Sequence, residues 1–389
     1  MSSSTLTIVQ AAAFGFPTLQ GSQVYVHGMS RALASRGHRV VVACYGHGEG
    51  EPDGGYEVAR IPSVPGYRRV RSGPDPVKPL LDVALAGLLT RLSARADIVH
   101  AHNYEAPIAA YLARMLTGCP VVYNNHNTLS EELPQYFQGA RARRLAKWTG
   151  GALDRAVPRR ADAAIAISAR AQPVLEELGC RDVTHVPPGV EPSDLVGAQG
   201  GEVRKSLALE GRPWVVYAGN PDAYQDLEIL LEAMKHLEEP GLLMVSASPW
   251  GDWERRVECL PPHRRRLVTV QTWEETRNHI AAGDVAALPR TQCTGYPIKL
   301  LNTLGLGKPT VCSAGSWQPL PGAVQVRNGD IGAFADSLKR LCADDSMRQK
   351  LGQQAQEHVR ENCTWEARAA DLEAVYGWVI EAKKKLAKS

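Results

Sequence analysis

The sequence has no apolar run of the roughly 18 residues that a transmembrane helix needs. The longest candidate, "LLDVALAGLLTRL" at residues 80–92, is shorter and contains Arg91 near its end. The first residues, "MSSSTLTIVQ", lack the basic start and the apolar core of a secretory signal. We therefore expect a cytoplasmic protein.

Metal-binding and redox patterns are also missing. The eight cysteines, scattered from Cys44 to Cys363, form no CxxC pair, and no group of His and Cys has the spacing of metal ligands. We expect reduced thiols that serve packing, with no structural zinc and no bound cofactor.

Glycine-rich nucleotide motifs are missing as well. A dinucleotide site needs G-x-G-x-x-G after a strand, but the chain has "AAAFGFPTLQGSQ" at 11–23 and "AGNPDAYQD" at 218–226. The segment "GLGKPT" is not a P-loop, because Asn302 and Pro309 stand where Gly and Ser or Thr are required. NAD enzymes and P-loop NTPases are disfavoured, and no interleaving of basic and aromatic residues indicates a nucleic-acid module.

Strand-like and helical segments instead alternate along the chain. Nearly continuous apolar strands, followed by helices that end at Gly, predict α/β domains with doubly wound parallel sheets. The predicted strands are 5–13, 38–46, 96–103, 119–126, 162–168 and 182–189, and then 213–219, 241–248, 267–272, 284–290 and 308–313.

The length of 389 residues predicts two domains, and a Gly-rich stretch at 197–202 separates the two series of strands. We predict Rossmann-like domains over 1–190 and 191–371, with a last helix at about 372–389 that is long enough to pack back on the first. Two such domains facing each other would bind ligands in the cleft beyond the carboxyl ends of their strands. Residues 1–190 hold 20 Lys/Arg against 15 Asp/Glu, and residues 191–389 hold 24 against 26, a difference that hints at different partners for the two halves.

Six motifs carry a family resemblance. They are "RALASRGHRVVV" (31–42), "ADIVHAHN" (96–103), "VVYNNH" (121–126), "ADAAIAIS" (161–168), "HVPPGVEP" (185–192) and "TGYPIKLLNTLGLGKPTVCS" (294–313). Their order and spacing resemble family 4 retaining glycosyltransferases of the GT-B fold, over nearly the whole chain. The resemblance implies transfer of a hexosyl-type sugar from a UDP- or GDP-linked donor, held mainly by the C-terminal domain. It also implies a glycan or lipid-linked acceptor, such as an envelope-glycan precursor, held by the N-terminal domain, and no obligatory metal.

In the N-terminal domain the resemblance implies two functional elements. Gly21 and Ser22 match a Gly-rich loop near the phosphate and the acceptor, although a simple helix N-cap would also explain them. His126 matches a histidine near the transferred sugar or the acceptor hydroxyl, where a neutral imidazole could hydrogen-bond the sugar. A buried structural histidine is the alternative, and His100 and His102 are expected to serve packing.

The C-terminal domain departs from the family pattern. Asn220 and Gln225 stand where the family has an arginine and a lysine that grip the diphosphate, and Thr294 and Asn302 stand where it has two carboxylates. Asn302 can still bond ribose hydroxyls as donor and acceptor, whereas Thr294 cannot replace a carboxylate's charge.

Two other cations are candidates for the missing charge. Arg290 ends a predicted strand and Lys299 lies early in the next helix, so both could reach one side of the diphosphate. The alternative is a surface strand end and a solvated helix residue. We assign His126, Arg290 and Lys299 to the catalytic set. The donor-binding set is Gly21, Ser22, Asn220, Gln225, Thr272, Thr294, Gly295, Tyr296, Pro297, Ile298 and Asn302.

No carboxylate receives a catalytic role, since retaining enzymes of this fold generally lack an obvious protein nucleophile; Glu131 and Glu132 are therefore left unassigned. Two competing hypotheses remain at this point. The lost cations and carboxylates fit a degenerate protein that binds a sugar or a partner without catalysis, and the domain pattern also fits a sugar-modifying enzyme such as an epimerase.

The segment "RARRLAKWTGGALDRAVPRR" at 141–160 has seven basic residues and one acidic residue. Leu145, Trp148, Leu153 and Val157 fall roughly on one side of it, and such a helix can lie on an anionic bilayer. The alternative is a solvated helix whose apolar side packs on the sheet. A position peripheral to the inner face of a membrane thus stays open.

Overall fold

The computed structural model describes residues 5–17, 21–48, 54–64, 67, 73–291, 296–315 and 319–386. The chain divides into two compact units. Met1–Gly189, Thr294–Tyr296 and Trp365–Ser389 belong to the first, whereas Val190–Cys293 and Pro297–Thr364 form the second. Each unit has its own parallel sheet with helices between the strands, so the prediction of two Rossmann-like domains is confirmed.

The first unit is built on a seven-stranded parallel sheet in the order β3-β2-β1-β4-β5-β6-β7. Its central strands are fully buried, and their apolar residues are interrupted by His100 and His102 on one strand and by Asn124 and Asn125 on the next. The strands are β1 (Thr7–Ala11), β2 (Arg39–Cys44), β3 (Glu57–Arg60), β4 (Ile98–His102), β5 (Val121–Asn125), β6 (Ala163–Ala166) and β7 (Val183–His185).

Helices cover the sheet of the first unit. They are α1 (Gly21–Ser35), α2 (Lys78–Ser93), α3 (Glu105–Thr117), α4 (Leu129–Glu132), α5 (Ala140–Ala156) and α6 (Ala171–Glu177), and the last helix of the chain, α14 (Trp365–Leu386), belongs here too. Helices α1 and α14 pack so closely that a Cβ atom at Gly28 would overlap the indole ring of Trp365. Trp365, Leu372 and Tyr376 are buried in the core under this pair.

The second unit repeats the design with six parallel strands in the order β10-β9-β8-β11-β12-β13. The strands are β8 (Trp214–Ala218), β9 (Gly241–Ser246), β10 (Arg265–Thr269), β11 (Val285–Leu288), β12 (Thr310–Ser313) and β13 (Ala323–Val326). The helices are α7 (Gly200–Ser206), α8 (Leu227–Lys235), α9 (Trp253–Arg256), α10 (Trp273–Ala282), α11 (Ile298–Gly305), α12 (Ile331–Ala343) and α13 (Asp345–Asn362).

Short 3₁₀ turns complete both units, at Leu133–Tyr136, Pro158–Arg160, Pro192–Leu195, Ala223–Gln225, Val257–Cys259 and Pro262–Arg264. Within the described residues, no helix combines the length and the apolar character needed to cross a bilayer.

Candidate functional site

Both sheets reverse their strand order at one point, between β1 and β4 in the first unit and between β8 and β11 in the second. Open α/β sheets bind ligands beyond the carboxyl ends of the strands at such a point. Asn220 and Gln225 follow β8, Arg290 follows β11, and His126 follows β5, the neighbour of β4. These four residues therefore follow strands at the end of each sheet where open α/β sheets bind ligands.

Lys299 is the second residue of α11 and its side chain reaches the loop after β8. Its Nζ atom donates a hydrogen bond to Oε1 of Gln225 at 2.9 Å and lies 5.2 Å from the centre of the Tyr217 ring. A Cβ atom at Gly219, whose φ of +154° already favours glycine, would collide with this Nζ. The lysine is thus partly buried against β8 and its loop, and it is not a solvated helix residue.

Arg290 is held in a similar way. Its guanidinium carbon lies 4.8 Å from the centre of the Tyr224 ring, within the range of a cation–π contact. Both Tyr224 and Gln225 belong to the turn that follows β8. The two predicted cations, from α11 and from the end of β11, therefore contact neighbouring residues of one loop.

Hydrogen bonds fix the shape of this loop. The Tyr217 hydroxyl donates to the backbone oxygen of Asn220 at 3.0 Å, and Ser246 Oγ donates to Asn220 Oδ1 at 3.3 Å. Burial raises the pKa of Tyr217, so its hydroxyl keeps its proton and remains a donor. Asn220 thus has a structural contact to the end of β9 in addition to its predicted role.

Asp226 is a site residue that the sequence analysis missed. It adopts a left-handed conformation with φ of +53°, and its Oδ2 accepts hydrogen bonds from Thr291 N at 2.7 Å and Thr291 Oγ1 at 2.5 Å. Asn328 Nδ2 donates to the backbone oxygen of Thr291 at 2.9 Å. Because Thr291 follows Arg290 directly, these bonds tie the segment that carries the arginine to the β8 loop. Only its position next to Gln225 in "YQD" could have drawn attention to Asp226.

The other residues predicted to bind the nucleotide-sugar donor lie farther along the chain from the loop after β8. Pro297 and Ile298 begin α11, and Asn302 lies on the same helix three residues after Lys299. Tyr296 packs against the apolar core of the first unit. Thr272 caps α10, where its Oγ1 accepts a hydrogen bond from Glu275 N at 3.1 Å. Thr294 and Gly295 lie outside the described residues.

In the first unit, His126 belongs to a buried polar chain. Its Nε2 lies 3.1 Å from Nδ1 of His102, whose Nε2 lies 2.7 Å from Oε1 of Gln10. Burial lowers the pKa of His126 to about 3 and that of His102 well below 6.5, so both rings are neutral near pH 7. His126 can therefore hydrogen-bond a ligand without carrying charge. The H-x-H spacing of "VHAHN" places His100 and His102 on one face of β4, which is the only sign of this chain in the sequence.

A second polar group connects β4 and β5 with the two packed helices. His100 Nδ1 lies 2.6 Å from the Tyr376 hydroxyl of α14, and its Nε2 lies 3.1 Å from Asn124 Oδ1. Tyr25 of α1 donates to the same Asn124 oxygen at 3.3 Å. These bonds fix α1, whose first residue is Gly21, over the carboxyl end of the sheet. The space beside Gly21 is open, since an added Cβ would meet no atom within 4 Å among the described residues.

The carboxylates after β5 are engaged in local contacts. Glu132 accepts hydrogen bonds from the Tyr136 hydroxyl at 2.7 Å and from Asn127 Nδ2 at 3.2 Å, and Glu131 pairs with Arg170 at 3.8 Å.

The basic segment forms α5, which is anchored by its one acidic residue. Asp154 is buried and accepts hydrogen bonds from Leu129 N, Ser130 N and the Tyr104 hydroxyl at 2.8, 3.0 and 2.5 Å. Of the apolar residues, Val157 is buried, but Leu145 is 64% and Trp148 68% exposed. The alternative in which the whole apolar side packs on the sheet is therefore wrong for Leu145 and Trp148.

Comparison with known proteins places the chain in context. Residues 19–194 match the family Glycosyltransferase Family 4, and residues 212–344 match Glycosyl transferases group 1. A D-inositol 3-phosphate glycosyltransferase of Xylanimonas cellulosilytica is 26% identical over 92% of this chain and 91% of its own length.

Solved structures share the fold. Sucrose-phosphate synthase from Thermosynechococcus elongatus superposes with a TM-score of 0.79 at 18% identity, covering 97% of this chain and 100% of that one. Anabaena HepE in complex with UDP gives a TM-score of 0.73 at 14% identity, with 96% and 100% covered. HepE has also been solved in complex with UDP-glucose, where the TM-score is 0.70 at 15% identity, with 95% and 100% covered.

Proposed function

Because the chain is a family 4-like glycosyltransferase with two Rossmann-like domains of the GT-B class, we propose that it is a retaining enzyme. It transfers a hexosyl-type sugar from a nucleoside diphosphate donor, and Lys299 and Arg290 of the second unit hold the diphosphate. The observation that carries this proposal is the 2.9 Å hydrogen bond between Lys299 and Gln225. The family resemblance implies a diphosphate-binding lysine at position 225, and Lys299 brings an ammonium group to that same position.

The chemistry of the reaction requires such cations. Departure of a nucleoside diphosphate develops negative charge on the phosphate oxygens, and preorganised positive groups stabilise that charge in the transition state. Lys299 supplies a compact charge, and Arg290 supplies a planar fork that suits phosphate oxygens. Their aromatic partners, Tyr217 and Tyr224, support the placement of both cations before the donor binds. In this mechanism the acceptor attacks on the face that the diphosphate leaves, so the anomeric configuration is retained without an obligatory metal.

The first unit contributes contacts to the sugar. Neutral His126 hydrogen-bonds a hydroxyl group of the transferred sugar or of the acceptor, and Gly21 and Ser22 at the start of α1 lie near the phosphate. The burial of His126 and the open space beside Gly21 support these roles. Asn302 bonds the ribose hydroxyls as donor and acceptor.

The acceptor is a glycan or lipid-linked precursor, and the enzyme acts at the cytoplasmic face of a membrane through α5. The exposed Leu145 and Trp148 support this, together with the cations Arg141, Arg144 and Lys147 on the same helix. An amphipathic helix of this composition inserts its apolar residues among lipid chains while its cations contact anionic headgroups.

A donor and acceptor panel tests the proposal. The purified chain is incubated with UDP-, GDP- and ADP-linked hexoses and with simple glycans, lipid-linked sugars and D-inositol 3-phosphate, the last because the relative above is named for it. We expect release of one nucleoside diphosphate and, by NMR of the product, an anomeric configuration equal to that of the donor. Turnover with inversion would contradict the retaining mechanism. Binding of a donor without any turnover would favour the non-catalytic alternative.

A further inference from the structure

Gln10, His102 and His126 form a linear chain at the carboxyl ends of β1, β4 and β5. The Gln10 amide oxygen lies 2.7 Å from His102 Nε2, and His102 Nδ1 lies 3.1 Å from His126 Nε2. The side chains are withdrawn from solvent, since Gln10 and His102 have no exposed surface and His126 is 5% exposed. Gln10 Oε1 and the two imidazole rings therefore take their hydrogen bonds from one another, whereas Gln10 Nε2 has no hydrogen-bond partner among the described residues.

The single N–H proton of each neutral imidazole fixes which nitrogen donates in the hydrogen bonds between Gln10, His102 and His126. An amide oxygen only accepts, so the proton between Gln10 and His102 sits on His102 Nε2. A neutral imidazole carries one proton, which leaves His102 Nδ1 as an acceptor. The proton between the two rings must then belong to His126 Nε2, and Nδ1 of neutral His126 carries a lone pair.

The lone pair on His126 Nδ1 is available to a ligand. Among the residues that the structure describes, no hydrogen-bond donor occupies this atom. The His126 ring lies nearly perpendicular to the Tyr25 ring, with ring centres 5.1 Å apart. If each hydrogen bond between Gln10, His102 and His126 had the opposite direction, His126 Nδ1 would carry a proton. It would then donate a hydrogen bond and bind an acceptor group of the ligand.

We propose that Gln10 is a positioning residue that acts through His102 to fix the tautomer of His126, so that His126 Nδ1 accepts a hydrogen bond from a sugar hydroxyl. The inference rests on the proposed function, in which His126 contacts the transferred sugar or the acceptor. It adds a prediction about specificity. A sugar with a hydroxyl group at this position binds, whereas an analogue with a fluorine or a keto oxygen there, which cannot donate a hydrogen bond, does not.

The neighbouring His100 provides a matched control. It is equally buried and lies on the same strand, and its ring stacks on His102 with ring centres 4.6 Å apart, but its nitrogens contact Tyr376 and Asn124. Replacing His100 perturbs the same region of the core without removing the acceptor that orients His102.

The tautomer can be measured without any substrate. We would record ¹⁵N–¹H correlations of the imidazole rings in the full chain labelled with ¹⁵N-histidine, assigning His126 by the loss of its signals in His126→Gln. A protonated Nε2 and an unprotonated Nδ1 on His126 are expected in the wild type. Gln10→Met should convert these signals to a mixture of tautomers, whereas His100→Gln should leave them unchanged. A protonated Nδ1 in the wild type, or an unaltered His126 in Gln10→Met, would overturn the proposal.

Kinetics then test the consequence. With the active donor, Gln10→Met should lower kcat/KM by about threefold to tenfold, the worth of one neutral hydrogen bond, while His100→Gln stays near the wild-type value. Equal losses in both variants would mean that Gln10 serves stability alone. Absence of turnover in every protein would contradict the proposed function instead, and the tautomer measurement would still decide whether Gln10 orients His126.

Discussion

The ammonium nitrogen of Lys299 lies 2.9 Å from the amide oxygen of Gln225, although the two residues are 74 positions apart in the sequence. Gln225 has lost the charge that the family resemblance implies at its position, and Lys299 returns a charge to within hydrogen-bond distance of it. Gln225 is buried, so its amide oxygen accepts this hydrogen bond away from bulk water.

A change at Gly219 tests whether the position of Lys299 matters. In Gly219→Ala the new methyl group would collide with Nζ of Lys299, so we expect a roughly tenfold weaker affinity for the nucleoside diphosphate. Gly211→Ala is the matched control, because Gly211 also has a positive φ but no atom within 4 Å of an added Cβ among the described residues. Equal affinities in the two variants would show that the lysine position is unimportant.

Asp226 should stabilise the second unit by joining two loops. Asp226→Ala removes the acceptor of two hydrogen bonds from Thr291, and bonds to a charged group make this loss worth about 1–3 kcal/mol in the free energy of unfolding. Urea unfolding measures the change. Asp252→Ala serves as the control, because the Asp252 side chain is 82% exposed and pairs with Arg255 at the surface. A loss of unfolding free energy no larger than that of the control would contradict a stabilising role for the hydrogen bonds between Asp226 and Thr291.

Stability should fall as the pH is lowered from about 7 to about 5. Burial lowers the pKa of His100 to about 4 and that of His126 to about 3, both below the value of about 6.5 expected in the unfolded chain. The unfolded state therefore binds more protons over this range, and each ring costs about 1.4 kcal/mol per pH unit below its unfolded pKa. Urea unfolding of His100→Gln at both pH values should show a shallower dependence than the wild type. An identical slope would contradict the neutral state of His100.

Binding to membranes should depend on two side chains of α5. Leu145→Ala together with Trp148→Ala should reduce cosedimentation with vesicles containing phosphatidylglycerol by roughly tenfold or more, because both side chains lose apolar area that enters the bilayer. Vesicles of phosphatidylcholine alone, or high salt, should also weaken binding. Trp378→Ala is the control, since Trp378 is 46% exposed on α14 of the same unit. Unchanged binding in the double variant would exclude α5 as the membrane contact.

The sequence predicted both sheets because their inner strands are continuous apolar runs with a helix after each. It did not predict β3 or β13, which are short edge strands, "EVAR" and "AVQV", without a buried apolar run. Lys299 and Arg290 could be proposed because a cation at a helix start or a strand end is visible in the sequence.

The partners of the site residues could not be predicted. Gln10 and His102 meet across the sheet at a separation of 92 residues, and Asp226 meets Thr291 at a separation of 65. Such contacts depend on strand order and on loop conformation, and neither leaves a periodic pattern in the sequence. The sequence left open whether Leu145 and Trp148 pack on the sheet or lie exposed, because an apolar stripe does not say which neighbour covers it.

The role of Lys299 and Arg290 is tested most directly by calorimetric titration of UDP, GDP and ADP into the wild type, Lys299→Ala and Arg290→Ala. Lys235→Ala is the control, because Lys235 lies on the surface of the same unit and pairs with Glu232. We predict that the wild type and Lys235→Ala bind one of the three nucleotides equally. Each site variant should bind it roughly 10- to 100-fold more weakly, the worth of a charge-assisted contact to phosphate. Wild-type affinity in both Lys299→Ala and Arg290→Ala would contradict the account.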